Sequence, residues 1–248
     1  IIGLVNVQIA YVNDTVYLLE VNPRASRTIP FVSKALGLPL AKIAARVMAG
    51  ISLEEQKILN IPELKLFNVK EAVMPFNKFQ NVDPILGPEM RSTGEVMGIG
   101  KTFEEAFEKA EIAAGVTIPD SGSAFISVRD IDKQFLKEIA EDLTESNFSL
   151  VGTKGTVRAL KELGFQARQI NKVLEGRPHI IDLMKNSEIT LVINTTEGRE
   201  SIKDSASIRR TALEEKICCT TTIQGAVAIC KVIKNQLEWS VQKLQDIH

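Results

Sequence analysis

Short apolar runs alternate with amphipathic stretches from residue 124 to residue 235, and this alternation constrains the fold more than any other feature. Such alternation predicts an α/β fold with an open parallel sheet and helices on both faces. The predicted strands are Ala124–Val128, Phe148–Gly152, Gln166–Ile170, Ile189–Asn194 and Ile217–Thr220. The predicted helices are Asp132–Leu143, Thr156–Leu163, Pro178–Lys185, Asp204–Lys216 and Thr222–Asn235. Ligands of such sheets bind beyond the carboxyl ends of the strands.

Three of these strand ends carry polar residues suited to an anion. Thr153 and Thr156 stand where a strand meets a helix N-terminus, which offers backbone N–H groups and a favourable dipole. Asn194-Thr-Thr196 ends another strand, and Lys172 lies in a loop after a third. Threonines at helix starts also serve as N-caps, so the alternative is a purely structural role. Together the three segments predict a phosphate site.

A β-hairpin is predicted near the start of the chain. We expect Asn13–Thr15 to form a three-residue loop, which pairs Gln8 with Glu20 and Asn6 with Asn22 on one face. A two-residue loop would divide this quartet between the two faces. The apolar residues of the opposite face are Val5, Val7, Ile9, Leu19 and Val21.

The polar face of this hairpin suits a hard cation beside a phosphate. Glu20 offers a carboxylate, and Gln8 and Asn22 offer amide oxygens, which are ligands that magnesium accepts together with water and substrate phosphates. Arg24 and Arg27 follow at once and can bind phosphoryl oxygens through paired hydrogen bonds. The alternative is an amphipathic hairpin whose polar face is only solvated.

Between these two regions the sequence predicts helices, irregular chain and a boundary. Helices are expected over Thr28–Leu36, closed by Gly37, and over Pro39–Ala49, and capping-box spacing at Ser52–Glu55 and Thr102–Glu105 predicts two more. The dense glycine and proline content of Lys70–Gly100 favours irregular chain. A linker composition at Gly115–Ser123 predicts two domains, residues 1–115 and 116–248.

The composition of the chain limits the kinds of binding partner and the compartment that we expect. Thirty basic and 31 acidic residues give a net charge of -1, so no global field favours nucleic acid or an anionic membrane. The three cysteines form neither a disulfide framework nor a metal-ligand spacing. No apolar run reaches the roughly 18 residues that span a bilayer. We expect a soluble cytoplasmic protein, and its opening inside a strand predicts a fragment of a longer chain.

Two long motifs carry a specific resemblance. Residues 20–34, Glu-Val-Asn-Pro-Arg-Ala-Ser-Arg-Thr-Ile-Pro-Phe-Val-Ser-Lys, resemble the end of the carbamate-phosphorylating ATP-grasp domain in carbamoyl phosphate synthetase large subunits. Residues 74–79 and 83–98 resemble the same subunit just downstream. Thr153-Lys-Gly-Thr156, Asn171–His179 and Ile193-Asn-Thr-Thr196 resemble the methylglyoxal-synthase-like regulatory domain that ends that subunit. The implied architecture is a partial α+β ATP-grasp domain followed by the parallel-sheet domain.

The resemblance implies functions for the candidate residues. It implies an ATP-dependent ligase, glutamine-hydrolysing as a whole, that makes carbamoyl phosphate for pyrimidine and arginine synthesis with Mg²⁺ or Mn²⁺ and K⁺. Gln8, Glu20 and Asn22 would bind metal and ATP, and Arg24 and Arg27 would steady the transferring group or the carbamate. The residues implied in an allosteric UMP or IMP site are Lys133, Thr153, Thr156, Lys172, Asn194, Thr196 and Asp204. Lys154 departs from the family, in which histidine is common there.

Further partners and alternatives also come from the resemblance. Glu71 and Thr221 match an ornithine site, although Glu71 is equally explained as a surface carboxylate. The implied protein partners are the rest of the large subunit and a glutaminase small subunit. The isolated chain is expected to be inactive, because the upstream ATP pocket of the family is missing from it. The alternatives are a module that only senses nucleotide, or a lyase similar to methylglyoxal synthase.

Overall fold

A computed structural model describes residues 1–76, 84, 92, 94–197, 202–203, 205–235, 241–243, 245 and 247. The chain forms two compact units, residues 1–66 with 240–248 and residues 67–239. Within the described residues no single helix is long and apolar enough to cross a bilayer. Helices Thr28–Leu36 and Leu40–Met48 have the length and apolar composition of a membrane span only when they are taken together, and the pair is bent by 108°.

The first unit contains an antiparallel hairpin and two helices. Its strands are β1 (Asn6–Val12) and β2 (Thr15–Asn22), and its helices are α1 (Thr28–Leu36) and α2 (Leu40–Met48). Gly37 adopts the left-handed conformation that ends α1, as the sequence predicts.

The hairpin turn differs from the prediction, yet the predicted polar pairs form. The loop has two residues, Asn13 and Asp14, with φ of 48° and 57°. Positive φ at both positions suits the tight turn that joins twisted strands. The register then shifts between Gln8 and Ile9, so that Ile9 pairs with Leu18 but Gln8 pairs with Glu20.

This β-bulge restores the pairing that a two-residue loop alone would have lost. The expectation that such a loop divides the polar quartet was therefore wrong. The pairs Gln8–Glu20 and Asn6–Asn22 are confirmed.

The apolar side chains of the hairpin are not buried by the described chain. Each of the predicted members, Val5, Val7, Ile9, Leu19 and Val21, keeps at least 40% of its surface exposed. Period-two alternation is present in the sequence, but no described element covers the face that it creates.

The capping box predicted at Ser52–Glu55 forms without a helix behind it. The Ser52 N–H donates to the Glu55 carboxylate at 2.7 Å, and the Glu55 N–H donates to the Ser52 hydroxyl at 3.2 Å. The chain leaves the helical path at Lys57, whose φ is 59°. Because a right-handed helix requires negative φ, only a turn results.

The second unit begins with two strands where irregular chain was expected. Strands β3 (Phe67–Val73) and β4 (Gly94–Gly100) pair in an antiparallel register, and helix α3 (Phe103–Ala114) follows. The glycines of β4 allow α3 to approach closely, since a Cβ at Gly98 would overlap the carbonyl oxygen of Ala106. The prediction of irregular structure was wrong at these two strands, and most of the segment between them lies outside the described residues.

The rest of this unit is the predicted parallel sheet. Its five strands lie in the order β7-β6-β5-β8-β9 and every pair is parallel, which confirms the predicted α/β class. The strands are β5 (Gly122–Ser127), β6 (Phe148–Gly152), β7 (Arg168–Gln169), β8 (Leu191–Asn194) and β9 (Cys218–Thr220). The helices are α4 (Leu136–Glu145), α5 (Lys154–Glu162), α6 (Ile180–Lys185), α7 (Ala206–Glu214) and α8 (Ile223–Asn235), and a 3₁₀ turn spans Asp130–Phe135.

Alternate side chains along the central strand pack into two apolar cores, one on each face of the sheet. Ala124 and Ile126 of β5 lie in the core formed with α4, α5 and α8, whereas Phe125 lies in the core formed with α6 and α7. Both faces of the sheet are therefore covered by helices, as the sequence predicts.

The compact units divide at residues 66 and 67, not within the predicted linker. Phe107 of α3, Val116 and Ile118 pack against the core that lies under α8. The segment after α3 thus belongs to the same packed body as the sheet. The assignment of residues 1–115 and 116–248 to two family domains stays a prediction.

Candidate functional site

Apart from Asp204, which lies outside the described residues, the predicted phosphate residues end or follow strands that terminate at the carboxyl edge of the parallel sheet, whose topological switch point lies between β5 and β8. Strand β5 is central, with β6 on one side and β8 on the other, so the chain leaves β5 and β8 in opposite directions. Crevices at such points are where open α/β sheets bind ligands.

The start of α5 offers unused hydrogen-bond donors. The first helical hydrogen bond runs from the Val157 N–H to the Thr153 carbonyl at 2.9 Å. The Thr153 hydroxyl makes no capping bond, although this residue occupies the N-cap position and is only 8% exposed. In the described part of the chain the N–H groups of Lys154, Gly155 and Thr156 have no partner. Helix N-termini present this arrangement to phosphates, and the capping alternative does not account for Thr153.

Asn194, at the end of β8, is buried with an unpaired donor. The residue is 1% exposed, and its Nδ2 atom has no hydrogen-bond partner among the described residues. A buried amide donor without a partner costs free energy, so a bound acceptor such as a phosphate oxygen would relieve that cost. Thr196, two residues further on, is half-buried.

Two of the predicted lysines follow strands that end at this edge, Lys133 after β5 and Lys172 after β7. The Lys133 ammonium lies 2.7 Å from the Asp130 carboxylate and 4.0 Å from the position that a Cβ on Gly155 would occupy, so it stands beside the start of α5. Lys172 is exposed in the loop that follows β7, and its N–H donates to the Glu175 carboxylate at 2.9 Å. The structure thus brings Lys133 and the α5 N-terminus together, whereas Asp204 lies outside the described residues.

Arg129 and Asp132, at this edge, were not predicted from the sequence, and Thr195 was included only as the middle residue of the Asn194-Thr-Thr196 segment. The Arg129 guanidinium donates two hydrogen bonds to the Asp132 carboxylate, at 2.7 and 2.9 Å, and the Arg129 N–H donates to the Thr195 hydroxyl at 3.0 Å. The guanidinium holds the pKa of Asp132 below its usual range, and the Thr195 hydroxyl contributes to the same effect. An acidic residue three positions after an arginine at a strand end was the available signal.

The hairpin residues form a partial oxygen-ligand set. The Asn22 side-chain amide donates to the Glu20 carboxylate at 2.8 Å, and Gln8 lies opposite Glu20. Arg24 and Arg27 follow, both exposed, and the Arg24 guanidinium donates to the Ala25 carbonyl at 3.2 Å.

This donor set fits a hard cation only when other ligands complete the shell. The described residues contain no group of three or more His, Cys, Asp or Glu side chains that could hold a metal. One carboxylate with amide oxygens is nevertheless what magnesium uses when phosphates and water supply the other positions.

The two residues matched to an ornithine site lie on different elements of the second unit. Glu71 is half-buried in β3, and Thr221 is exposed after β9. No hydrogen bond joins them within the described part of the chain. Glu111 of α3 lies near Glu71, and burial together with the charge of Glu71 raises the pKa of Glu111 to about 7.

Comparisons with known proteins match both the N-terminal and the C-terminal part of the chain to the same protein family. Residues 1–56 match the family model described as the ATP binding domain of the carbamoyl-phosphate synthase L chain, and residues 135–221 match the MGS-like domain. The chain is 56% identical over 248 residues to the carbamoyl phosphate synthase large chain of Pseudomonas aeruginosa. It is 53% identical over 253 residues to that of Xanthomonas axonopodis pv. citri and 52% identical over 246 residues to that of Vibrio parahaemolyticus.

These alignments cover 99% to 100% of this chain but 23% of each relative, so the chain spans about a quarter of their length. The two domain matches, together with sequence identities of 52% to 56% over essentially the whole chain, assign it to one family. The chain belongs to the carbamoyl phosphate synthase large-chain family, of which it represents the end of an ATP-binding domain and an MGS-like domain.

Proposed function

We propose that the parallel-sheet domain binds the phosphate of a nucleotide effector, UMP or IMP, and that it regulates a carbamoyl phosphate synthase. The observation that carries this proposal is the buried Asn194 amide without a partner among the described residues, at the same sheet edge as the uncapped N-terminus of α5. Around the same edge, hydroxyl and ammonium donors come from Thr153, Thr156, Lys133, Lys172 and Thr196. Asp204 is proposed with them from the family resemblance alone. Buried donors and positive charge at a strand edge favour a dianionic group over a neutral one.

The hairpin would serve the ATP-dependent phosphorylation of carbamate. Gln8, Glu20 and Asn22 would hold Mg²⁺ or Mn²⁺, which when bound neutralises charge on the phosphoryl oxygens. Arg24 and Arg27 would orient the transferring group through paired hydrogen bonds. Carbamate is already an anionic nucleophile, so no general base is needed.

Further partners belong to the same proposal. The chain acts with the rest of the large subunit and a glutaminase small subunit in the cytoplasm. K⁺ and ornithine are further candidate ligands, the latter at Glu71 and Thr221.

The effector site is tested by calorimetric titration of the 248-residue chain with UMP and with IMP. We expect saturable binding of at least one nucleotide and a loss of affinity in Lys172→Ala and Thr156→Val. The Arg158→Ala variant is a matched control, because it removes a cation from the exposed face of α5, where Arg158 pairs with Glu162. Unchanged affinity in both site variants, or equal loss in the control, would contradict the proposal.

The hairpin proposal is tested in a complete large chain that carries this sequence. Glu20→Gln removes the one carboxylate of the donor set, so carbamate phosphorylation should be abolished while the thermal unfolding profile stays unchanged. Synthesis of carbamoyl phosphate at the unsubstituted rate would rule out the metal role of Glu20.

A module that only senses nucleotide is the second candidate for the chain as it stands. The observation that favours it is the incomplete ligand set of the hairpin, in which Glu20 is the one carboxylate beside Gln8 and Asn22. ATP-dependent turnover by the 248-residue chain alone would exclude this candidate. We do not propose the lyase alternative, since the buried Asp132 carboxylate at the candidate site accepts two hydrogen bonds from Arg129, which lower its pKa and make it a weak general base.

A further inference from the structure

A hydrogen-bonded network joins the ends of β5 and β8, and it is separate from the predicted phosphate ligands. It consists of Arg129, Asp132 and Thr195, which we call the clamp. Arg129 donates to both oxygens of the Asp132 carboxylate. The Thr195 hydroxyl accepts from the Arg129 backbone N–H at 3.0 Å, and it helps to lower the pKa of Asp132. The Thr195 N–H donates in turn to the Ser127 carbonyl at 3.0 Å.

The clamp is largely removed from water. Asp132 is 3% exposed and Thr195 is 5% exposed, and about a third of the Arg129 side chain remains accessible. A buried polar network in which each member is satisfied is rigid, whereas the loss of one partner leaves a buried group uncompensated. The clamp therefore holds its two loops in one arrangement.

Two of the clamp residues are adjacent in sequence to residues of the proposed phosphate site. Asp132 directly precedes Lys133, whose ammonium stands beside the start of α5. Thr195 lies between Asn194 and Thr196. The bonds of the clamp thus fix the backbone from which these three donors project, on both sides of the switch point.

We infer that the Arg129–Asp132–Thr195 clamp positions Lys133, Asn194 and Thr196 for one bound phosphate, without itself contacting the ligand. This inference rests on the proposed nucleotide site. Its physical basis is preorganisation, because donors that are already held at the right spacing lose less freedom when the anion binds. The clamp residues are positioning residues.

The Thr195 hydroxyl allows a conservative test. In calorimetric titrations of the 248-residue chain with UMP and with inorganic phosphate, Thr195→Val should weaken binding about tenfold, because it removes the acceptor of the Arg129 backbone N–H. Thr195→Ser keeps that hydroxyl and should bind within about twofold of the unsubstituted chain. Rescue by serine separates the hydrogen bonds from the bulk of the side chain.

A double-mutant cycle tests whether the clamp acts through Lys133. The loss caused by Thr195→Val should shrink on a Lys133→Ala background, since one of the donors that the clamp positions is then absent. An equal loss in both backgrounds would mean that the clamp does not act through Lys133 and would overturn that part of the inference.

Asp142 supplies a matched control for stability. Its carboxylate is also buried, at 5% exposure, and it accepts from the Lys234 ammonium at 2.7 Å between α4 and α8. Asp142→Asn should lower the urea midpoint and leave phosphate affinity unchanged. If it weakens binding as much as Thr195→Val at equal loss of stability, the positioning role is wrong.

The outcomes separate the inference from the function on which it rests. If the unsubstituted chain binds UMP and Thr195→Val binds it equally well, the positioning role of the clamp is wrong and the proposed nucleotide site is retained. Absence of binding of both anions to the unsubstituted chain overturns both.

Discussion

The contacts of Thr153 distinguish between its two possible roles, which are capping a helix and binding a ligand. A threonine at a helix start is expected to cap the helix. Thr102 does so, since its hydroxyl accepts from the Glu105 N–H at 3.2 Å. Thr153 occupies the same position in α5 but makes no such bond. The two threonines both stand at helix starts in the sequence, so only the structure separates the cap from the candidate ligand.

Asp130 competes at the residue scale with any anion that Lys133 would bind. The two side chains lie 2.7 Å apart, and Asp130 is almost fully exposed. Asp130→Asn should therefore raise the affinity for inorganic phosphate by about twofold to fivefold, as expected for the loss of an exposed ion pair. Calorimetric titration measures the change. Glu162→Gln, which removes the same charge from the exposed face of α5, should have no effect, and an equal gain in this control would contradict the argument.

At the scale of the element, the hairpin and α3 depend on local hydrogen bonds. The two-residue turn of the hairpin would place Glu20 and Gln8 on opposite faces if the strands were regular. The bulge between Gln8 and Ile9 corrects the register, so the polar face survives a loop of a different length. Helix α3 begins at the Thr102 cap, and both glycine-rich β4 and the adjacent core pack against that helix.

The cap of α3 gives a stability prediction for this element. Thr102→Ala removes the acceptor for the Glu105 N–H and should reduce the free energy of unfolding by about 1 kcal/mol. Urea denaturation followed by circular dichroism measures this loss. Thr102→Ser keeps the acceptor and should be close to the unsubstituted chain, so a serine variant as unstable as the alanine variant would show that the cap is not the cause.

At the scale of the whole molecule, buried charge links stability to pH. Burial and the charge of Glu71 raise the pKa of Glu111 to about 7, above its ordinary value of 4.5. Between these two values the folded chain therefore holds a proton that the unfolded chain has released. Stability from this group is greatest below pH 4.5 and declines as the pH rises to about 7, beyond which the ionised carboxylate remains a constant cost.

Removal of this cost is measurable. Glu111→Gln should raise the free energy of unfolding at about pH 8 by at most about 3 kcal/mol, and the thermal midpoint should rise with it. Near about pH 4.5 the substitution should have little effect. Differential scanning calorimetry at the two pH values tests the sign. A variant that is stabilised equally at both values would show that ionisation of Glu111 is not responsible.

The sequence by itself determined the elements whose cause is local. The five parallel strands, the end of α1 and the cap of α3 were predictable because apolar periodicity, Gly37 and Thr102 act within a few residues of chain. The candidate phosphate residues at three strand ends could be proposed because strand ends share one edge in a parallel sheet, whereas Lys133 and Asp204 were proposed from the family resemblance. Only the tertiary structure decided the bulge beside Gln8 and the packing of α3 within the second unit, which depend on the pairing of distant segments. It also decided the clamp, because the hydrogen bond from Arg129 to Thr195 joins residues 66 positions apart, and no local pattern specifies that contact.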